Sequence, residues 1–301
     1  KTVLLISLIF CSTKMFSATR NWTGAGTGGS GTDVNDAANW DGSGAILPTD
    51  DLVIALTSPA TLSLSADLTI NNITFSLDNG SGVKSASLGA NSFVLTINGT
   101  ASFDAIQYTS GTDRDEITLG VGTGAIIFNG IANFMQIGVG DMYLTGDATS
   151  AGTITFYADV NFGLWIGTSP ATEPNLVFDA PGTQTVNCLQ EQYTSGRNIT
   201  IGVLNTPNVS FTNNTVRFLV YDGNFTISDG CTVDIAQGGF DNNQDTGTFS
   251  LGAGAKLRIG GTAGFPGDNN FGDYSTYSIN PTSTIEYYGA NQTVKGGLAY
   301  G

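Results

Sequence analysis

The residues whose spacing best suits metal binding lie in one short polar segment, DNNQDTG. Asp241, Asn243 and Asp245 place side-chain oxygens at alternate positions of this segment. Hard cations such as Ca²⁺ take oxygen ligands at such a spacing. Gly252, however, stands where an EF-hand loop has its bidentate glutamate. We therefore expect either a calcium site formed by Asp241, Asn243 and Asp245 or an ordinary polar loop.

The densest group of acidic side chains is Asp113, Asp115 and Glu116, with Arg114 among them. Paired carboxylates can hydrolyse glycosidic bonds. A lyase acting on uronate sugars would also need several cations to hold its substrate, and the chain has only 10 Lys and Arg in 301 residues. We therefore expect this cluster to be a solvated loop and the protein to have no enzymatic activity. A polysaccharide lyase or glycoside hydrolase is the alternative.

Composition excludes several classes of function. The chain has no His, which removes Ser-His-Asp catalysis and zinc sites with imidazole ligands. With 10 Lys and Arg against 25 Asp and Glu, its formal net charge is -15. Repulsion from phosphate groups makes nucleic acid or an anionic membrane an unfavourable partner. Charged residues make up 12% of the chain, against about a quarter in an average domain, so Thr, Ser, Asn and Gly must form much of the surface.

Adjacent tyrosines, Tyr287 and Tyr288, occur in an alternating segment near the end of the chain. Neighbouring side chains on a strand point to opposite faces, so one of the two must point outward. An exposed aromatic ring can stack on a sugar. We therefore treat the outward tyrosine as a hypothetical ligand contact.

Short alternating segments follow one another from residue 52 onward, each bounded by Gly, Asn, Asp, Ser or Pro. They are LVIAL, ATLSL, DLTINNITF, FVLTI, EITLGV, AIIF, TITFY, NLVF, NITIGV, NVSF, NFTI, TVDI, TFSL, AKLRI and TIEYY. A period of two predicts strands, and no window combines helical periodicity with capping residues. The sequence therefore predicts an all-β fold.

The chain also repeats itself in short units. SLGANSFVLTINGTASF, from residue 87, shares ten positions with SLGAGAKLRIGGTAGF, from residue 250. YTSGTDRDEITLGV resembles YTSGRNITIGV, and NLVFDAPGTQTV resembles TIEYYGANQTV. Such units at unequal offsets predict a right-handed parallel β-helix (solenoid) with coils of roughly 20 to 30 residues. Repeated β-sandwiches are the alternative.

Three regions follow from this interpretation. Residues 1–18 have Lys1, an apolar run and a polar end at Ala18, which is typical of a secretory signal peptide. Residues 19–51 contain Trp22 and Trp40 but no alternating run, and predict an N-terminal cap over the open end of the solenoid. Residues 52–301 form the repeats. They stop in mid-repeat, so we expect an N-terminal fragment of a longer protein.

Two stretches carry a family resemblance. NWTG…DAANWDGSGAILPTDDLVI resembles the start of secreted surface proteins of Bacteroidetes-type bacteria, and SLGAGAKLRIGG with STIEYYGANQTV resembles a repeat in the same proteins. They include gliding-motility adhesins exported by the type IX secretion route. The resemblance covers most of residues 20–301. It implies a surface-exposed β-helical fibre or adhesin and carries over no catalytic residue. We expect no cofactor other than the calcium ion considered above.

These observations together favour a secreted, extracellular cell-surface protein without enzymatic activity, a stalk or adhesin segment that displays binding loops. Its expected partners are surface glycans or other cell-surface proteins, with no membrane span. An ice-binding solenoid is a weaker alternative, because Thr-x-Thr occurs at Thr153 and Thr183 without a fixed coil spacing. Cys188 and Cys231 can pair in an oxidising compartment, and the sequence leaves that pairing open.

Overall fold

A computed structural model of the chain describes residues 17–42, 44–78, 84–106, 115–137, 141–145, 152–163, 166–167, 174–188, 192–195, 198–212, 217–221, 223–236, 239–241, 247–260, 274–289 and 294. The described residues form strands joined by short corners, together with two 3₁₀ helices, Gly24–Thr27 and Ala37–Asn39. The predicted all-β class is therefore confirmed.

The strands are numbered in chain order. The first eight are β1 Thr19–Asn21, β2 Asp51–Leu56, β3 Ala60–Ser63, β4 Leu68–Ile70, β5 Ile73–Asp78, β6 Lys84–Gly89, β7 Val94–Ile97 and β8 Ala101–Ile106. The middle group is β9 Asp115–Gly120, β10 Ala125–Phe128, β11 Ala132–Ile137, β12 Asp141–Thr145, β13 Thr153–Phe156, β14 Val160–Phe162, β15 Ile166–Gly167, β16 Asn175–Phe178, β17 Thr183–Cys188, β18 Gln192–Ser195 and β19 Ile199–Ile201. The last are β20 Asn208–Thr212, β21 Arg217–Tyr221, β22 Phe225–Ile227, β23 Thr232–Asp234, β24 Gly239–Asp241, β25 Thr248–Leu251, β26 Lys256–Ile259, β27 Thr276–Ile279 and β28 Thr284–Tyr287.

Three sides wind around one core. Side 1 is an eleven-stranded sheet in the order β1-β2-β5-β8-β11-β14-β17-β20-β23-β26-β28. Side 2 has a five-stranded sheet, β3-β6-β9-β12-β15, followed by a three-stranded sheet, β18-β21-β24. Side 3 is a nine-stranded sheet, β4-β7-β10-β13-β16-β19-β22-β25-β27. Between β2 and β26, each strand pairs in parallel with strands of neighbouring coils, as β5 pairs with β2 and β8. This arrangement confirms the parallel solenoid over the β-sandwich, while its right-handed sense stays a prediction.

The strand register measures the coils. Leu52 pairs with Ile73, a coil of 21 residues (73 minus 52), whereas Ala101 pairs with Ala132, a coil of 31 residues (132 minus 101). The predicted repeat of roughly 20 to 30 residues is therefore close to the observed range. The register also places identical residues next to each other on neighbouring strands, since Val160 pairs with Val186 and Asn161 with Asn187.

Buried phenylalanines form an aromatic spine through the middle coils. It is built from two inward columns, Phe75, Phe103, Phe134 and Phe162 on side 1 and Phe128, Phe156 and Phe178 on side 3. Rings within a column stack, as Phe103 does on Phe134 at 5.4 Å between centroids. Rings of different columns meet edge to face, as Phe128 and Phe134 do at 5.9 Å and 88°. Both geometries are favourable for aromatic pairs, so the spine links successive coils as well as opposite sides.

The sequence repeats lie on different sides of the solenoid. Leu88 lies near the end of β6 on side 2, but its counterpart Leu251 ends β25 on side 3. Each is followed three residues later by a residue with positive φ, Asn91 at 57° and Gly254 at 64°. Both residue types tolerate this left-handed conformation. The reused unit is therefore a strand, a corner and the following strand, and it can serve at more than one corner.

The N-terminal residues close one end of the column. Trp22 and Trp40 meet edge to face at 5.0 Å, and the Trp40 Nε1 donates to the carbonyl oxygen of Val34 at 2.9 Å. Ser63, the last residue of β3, exchanges backbone hydrogen bonds with Val34 and Thr32, each 2.9 Å long. These contacts cover the edge of side 2 that would otherwise be open to association.

A buried ion pair joins the two ends of this cap. The Asp50 side chain is fully buried and accepts from Arg20 Nε at 2.6 Å and from the Leu47 and Ala18 N–H groups at 3.0 and 3.3 Å. Arg20 also donates to the carbonyl oxygen of Ala45 at 3.1 Å. Burial acts to raise the pKa of Asp50, but these hydrogen bonds and the Arg20 charge outweigh it, so the pKa is lowered. The carboxylate is thus stable inside the cap because its partners are complete.

Candidate functional site: a ledge and a lateral groove

One corner between side 3 and side 1 is longer than those that follow it. Residues 202–207 join β19 to β20, whereas residues 228–231, 252–255 and 280–283 form the next three corners of the same edge. We call residues 202–206 the ledge. Val203 and Leu204, at its tip, are 62% and 79% exposed. They are the two most exposed large apolar side chains among the described residues.

A buried carboxylate holds the ledge in place. Asp179, which is 1% exposed, accepts the N–H groups of Val203 and Asn205 at 2.9 Å and that of Leu204 at 3.0 Å. The Asn205 Nδ2 donates in return to the carbonyl oxygen of Asp179 at 2.7 Å. Hydrogen bonds to a charged acceptor are stronger than neutral ones, which offsets the cost of burying the carboxylate. The ledge is therefore ordered before any ligand arrives.

The base of the ledge requires glycine. Gly202 has φ +80°, and a Cβ added there would lie 2.3 Å from the Cys231 Sγ. The Ser228 hydroxyl donates to the Gly202 carbonyl oxygen. Cys231 is a free, buried thiol, and burial, with the charges of Asp179 and Asp229, raises its pKa to about 11. It is therefore a packing residue under the ledge and remains protonated at neutral pH.

Beside the ledge lies a groove of about 820 Å³ that runs along the axis over three later coils. Its floor includes Thr226, Ser250 and Ser278, which occupy one register position of β22, β25 and β27. Parallel neighbours lie about 4.8 Å apart, so these three hydroxyls form a row at that spacing. The groove has the volume of a small-ligand site, and its far end is formed by Asn280 and Pro281.

Two further polar groups face this groove. One oxygen of Asp229, Oδ1, accepts the Ala253 N–H at 2.7 Å, and Oδ2 has no partner among the described residues. The Asn280 Oδ1 accepts from the Thr282 N–H and hydroxyl at 3.0 and 2.9 Å, which leaves its Nδ2 as a donor. Within the described part of the chain, no Lys or Arg lines the groove. The groove therefore presents hydroxyls, one carboxylate and one amide beneath an apolar tip.

A separate charged ladder lies on the outer face of side 1. Asp234, Arg258 and Glu286 share a register position, and Arg258 contacts Asp234 at 2.7 Å and Glu286 at 3.1 Å. Its guanidinium carbon lies 4.7 Å from the centre of the Tyr288 ring. Tyr287 packs against the core and Tyr288 is 43% exposed, as strand alternation requires.

Tyr288 is held down by its neighbours in this ladder. Its hydroxyl donates to Asp234 at 2.7 Å, and its ring lies over Gly260, where an added Cβ would come within 2.5 Å of ring atoms. Burial first, and then this hydrogen bond, raise the pKa of Tyr288 to about 12. The outward tyrosine, Tyr288, is thus part of the charged ladder. A sugar stacking on it would have to compete with Arg258, which already lies over the ring.

The other residues that the sequence singled out are only partly described. Asp241 is the last residue of β24, while Asn243 and Asp245 lie outside the described residues, so the calcium site stays a prediction. Asp113 and Arg114 also lie outside them. Across the described residues, no three Asp, Glu, Cys or His side chains are grouped to hold a metal ion.

Two further expectations concern the cysteines and the membrane. Cys188 and Cys231 are both free and buried, so they do not pair here. Within the part of the chain that the structure describes, no helix is long and apolar enough to cross a membrane.

Sequence reasoning did not find the ledge. Its only signal was GVLNTP, which overlaps the end of the segment NITIGV and places the apolar Val203 and Leu204 directly before the turn residues Asn205 and Pro207. Asp179 follows the strand NLVF as an ordinary turn residue would. Its partners lie 24 to 26 positions further along, and only the coil spacing brings them together.

Fold and site together define a parallel β-solenoid with a closed N-terminal end and a lateral groove. Comparison of the chain with protein-family models, with curated proteins and with solved structures finds no match.

Proposed function

We propose that this chain is a secreted, non-enzymatic cell-surface protein, a stiff stalk or adhesin segment that presents its lateral groove to ligands on another surface. The observation that carries the proposal is an apolar tip held outward by a buried carboxylate beside a preformed groove. Exposed apolar residues on an ordered loop favour binding, because the cost of ordering is already met before the ligand arrives.

Continuous stacking supports the stalk. Eleven strands of side 1 at about 4.8 Å give a rod of about 48 Å in the described part of the chain. Asparagine ladders reinforce its outer face, where Asn161 Nδ2 donates to Asn133 at 2.7 Å and Asn187 Nδ2 donates to Asn161 at 3.3 Å. Each coil contacts only its neighbours, so adding coils extends reach without requiring a new core.

Adhesion under flow tests this function. Beads that carry the purified chain through a terminal tag are passed over immobilised plant, fungal and bacterial polysaccharides, with albumin-coated beads as the control. The expected result is retention of the protein-coated beads at shear rates that remove the control beads. Retention no better than that of albumin on every surface would contradict the proposal.

A second measurement addresses the enzymatic alternative. The same polysaccharides are incubated with soluble protein, and new reducing ends and unsaturated ends are measured. Adhesion without new chain ends supports a binding protein, whereas turnover would replace that assignment with a carbohydrate-active enzyme.

A further inference from the structure

The groove beside the ledge is open to solvent and preformed, and its lining limits the chemistry of what it can hold. We infer that it binds a neutral oligosaccharide, with the row of hydroxyls on its floor contacting sugar hydroxyls and Leu204 covering an apolar sugar face. This inference rests on the proposed binding function and assigns its ligand class.

Charge argues against an anionic ligand. Asp229 is the one charged residue among the described residues that line the groove, and the whole chain carries a net charge of -15. An acidic sugar would therefore meet repulsion at close range and no cation to balance its charge. A neutral sugar avoids this repulsion, and its hydroxyls can donate to the second oxygen of Asp229.

The floor also argues against an extended peptide. A peptide that adds to a sheet needs the unpaired N–H and C=O groups of an edge strand. Thr226, Ser250 and Ser278 instead lie on the outer face of side 3, where β22 and β25 are paired on both sides. What this face offers is side-chain hydroxyls, which both donate and accept. Repeated hydroxyls about 4.8 Å apart match a ligand that is itself rich in hydroxyls.

The ledge supplies the apolar part of the site. Val203 and Leu204 stand at the groove margin while Asp179 fixes the backbone between Val203 and Asn205. Sugar rings have an apolar face of C–H groups, and burying it against Leu204 removes apolar area from water on both partners. The Asn280 Nδ2 and the Ser278 hydroxyl can then fix the orientation of the sugar.

A glycan array with matched variants tests the inference. Labelled full-length protein is applied to neutral oligosaccharides (glucans, mannans and galactans) and to acidic ones (oligogalacturonates). We expect binding to at least one neutral class and at least tenfold weaker binding to the acidic set. In the variant Leu204→Asp the neutral affinity should fall by about tenfold, the scale of one exposed leucine contact. Ser278→Tyr, which fills the groove from an exposed position, should abolish binding.

The matched control is Ile131→Asp. Ile131 lies in an earlier corner of the same edge and is 44% exposed, so its replacement introduces the same charge away from the groove and should leave binding unchanged. Circular dichroism checks that all variants are folded. Binding confined to acidic glycans or to peptides, or neutral binding that survives both Leu204→Asp and Ser278→Tyr, would overturn the inference. If coated beads made from these two variants still adhere, the chain is an adhesive stalk whose ligand site lies outside the groove; if wild-type beads do not adhere either, the proposed function itself fails.

Discussion

Replacing Phe134 with alanine tests whether the aromatic spine holds neighbouring coils together. Phe134 is fully buried and contacts four rings: Phe103 and Phe162 at 5.4 Å, Phe128 at 5.9 Å and Phe156 at 6.2 Å. Loss of a buried phenylalanine costs about 3 to 5 kcal/mol through lost burial and the cavity left behind. Because Phe134 has neighbouring rings on both sides along the axis and also across the core, we expect its loss to destabilise the fold by an amount in the upper part of that range.

The measurement combines urea denaturation with native-state hydrogen exchange. Coils of a solenoid stabilise only their neighbours, so exchange should rise in β8, β10, β11, β13 and β14, which carry Phe134 and the four rings it contacts, and remain unchanged in residues 19–42 of the cap. The control is Ile131→Ala in the adjoining corner, which should change stability by less than about 0.5 kcal/mol because Ile131 is 44% exposed. If the two variants lose equal stability, or if Phe134→Ala loses less than about 1 kcal/mol, the spine does not couple the coils as described.

Three further outcomes are expected. Asp50→Asn should cost about 3 kcal/mol at pH 7 in urea denaturation, because it leaves Arg20 buried without its counter-charge. The pKa of Asp50 in the folded protein is lowered from 3.8, so its contribution to the free energy of unfolding is present above about pH 4 and is lost as the pH falls through the folded pKa. The stabilities of wild type and variant should therefore converge in acid. A constant difference down to pH 2 would refute this. Burial raises the pKa of Cys188 to about 12 and that of Cys231 to about 11, and nearby carboxylates add to the shift of Cys231. Iodoacetamide at pH 8 should therefore modify neither thiol until guanidinium unfolds the protein. Labelling of the native protein, detected by mass spectrometry, would contradict this. Gly202→Val should destabilise the ledge by more than about 2 kcal/mol, because φ is +80° and the Cys231 Sγ occupies the space; unchanged exchange at the ledge amides would count against that steric argument.

Alternation and repetition were enough to predict the fold. All fifteen alternating segments named from the sequence contain a strand, and the segment DLTINNITF contains two, β4 and β5, separated by Asn71 and Asn72. The alternation of apolar and polar residues did not predict strands whose buried positions hold small or polar residues. β8, ASFDAI, buries the small Ala101 beside Phe103, and β17, TQTVNC, turns Gln184 inward. The Nε2 of buried Gln184 donates to the carbonyl oxygens of Phe156 and Ala158 at 3.1 and 2.6 Å. These bonds to the preceding coil offset part of the cost of burying the amide, whose Oε1 has no partner among the described residues.

The groove could not be predicted from the sequence for a related reason. A search for chemistry weighs residues that are close in the chain, and it selected Asp241, Asn243 and Asp245. The row formed by Thr226, Ser250 and Ser278 is separated by 24 and 28 positions, and these intervals follow from coil lengths that alternation does not specify. Only the register makes three ordinary hydroxyls into one surface.

The strand–corner–strand unit has a consequence for how such a chain can lengthen. Because one strand and one corner make up one side of a three-sided coil, a duplication that adds one strand and one corner would rotate everything downstream by a third of a revolution, so that a ligand-facing surface would move to a neighbouring side. Duplication in threes would preserve every flank and add only height. Gain or loss of such units can therefore change the direction in which the groove faces as well as the length of the solenoid. Homologues that have different numbers of the same units need not have their grooves on the same side.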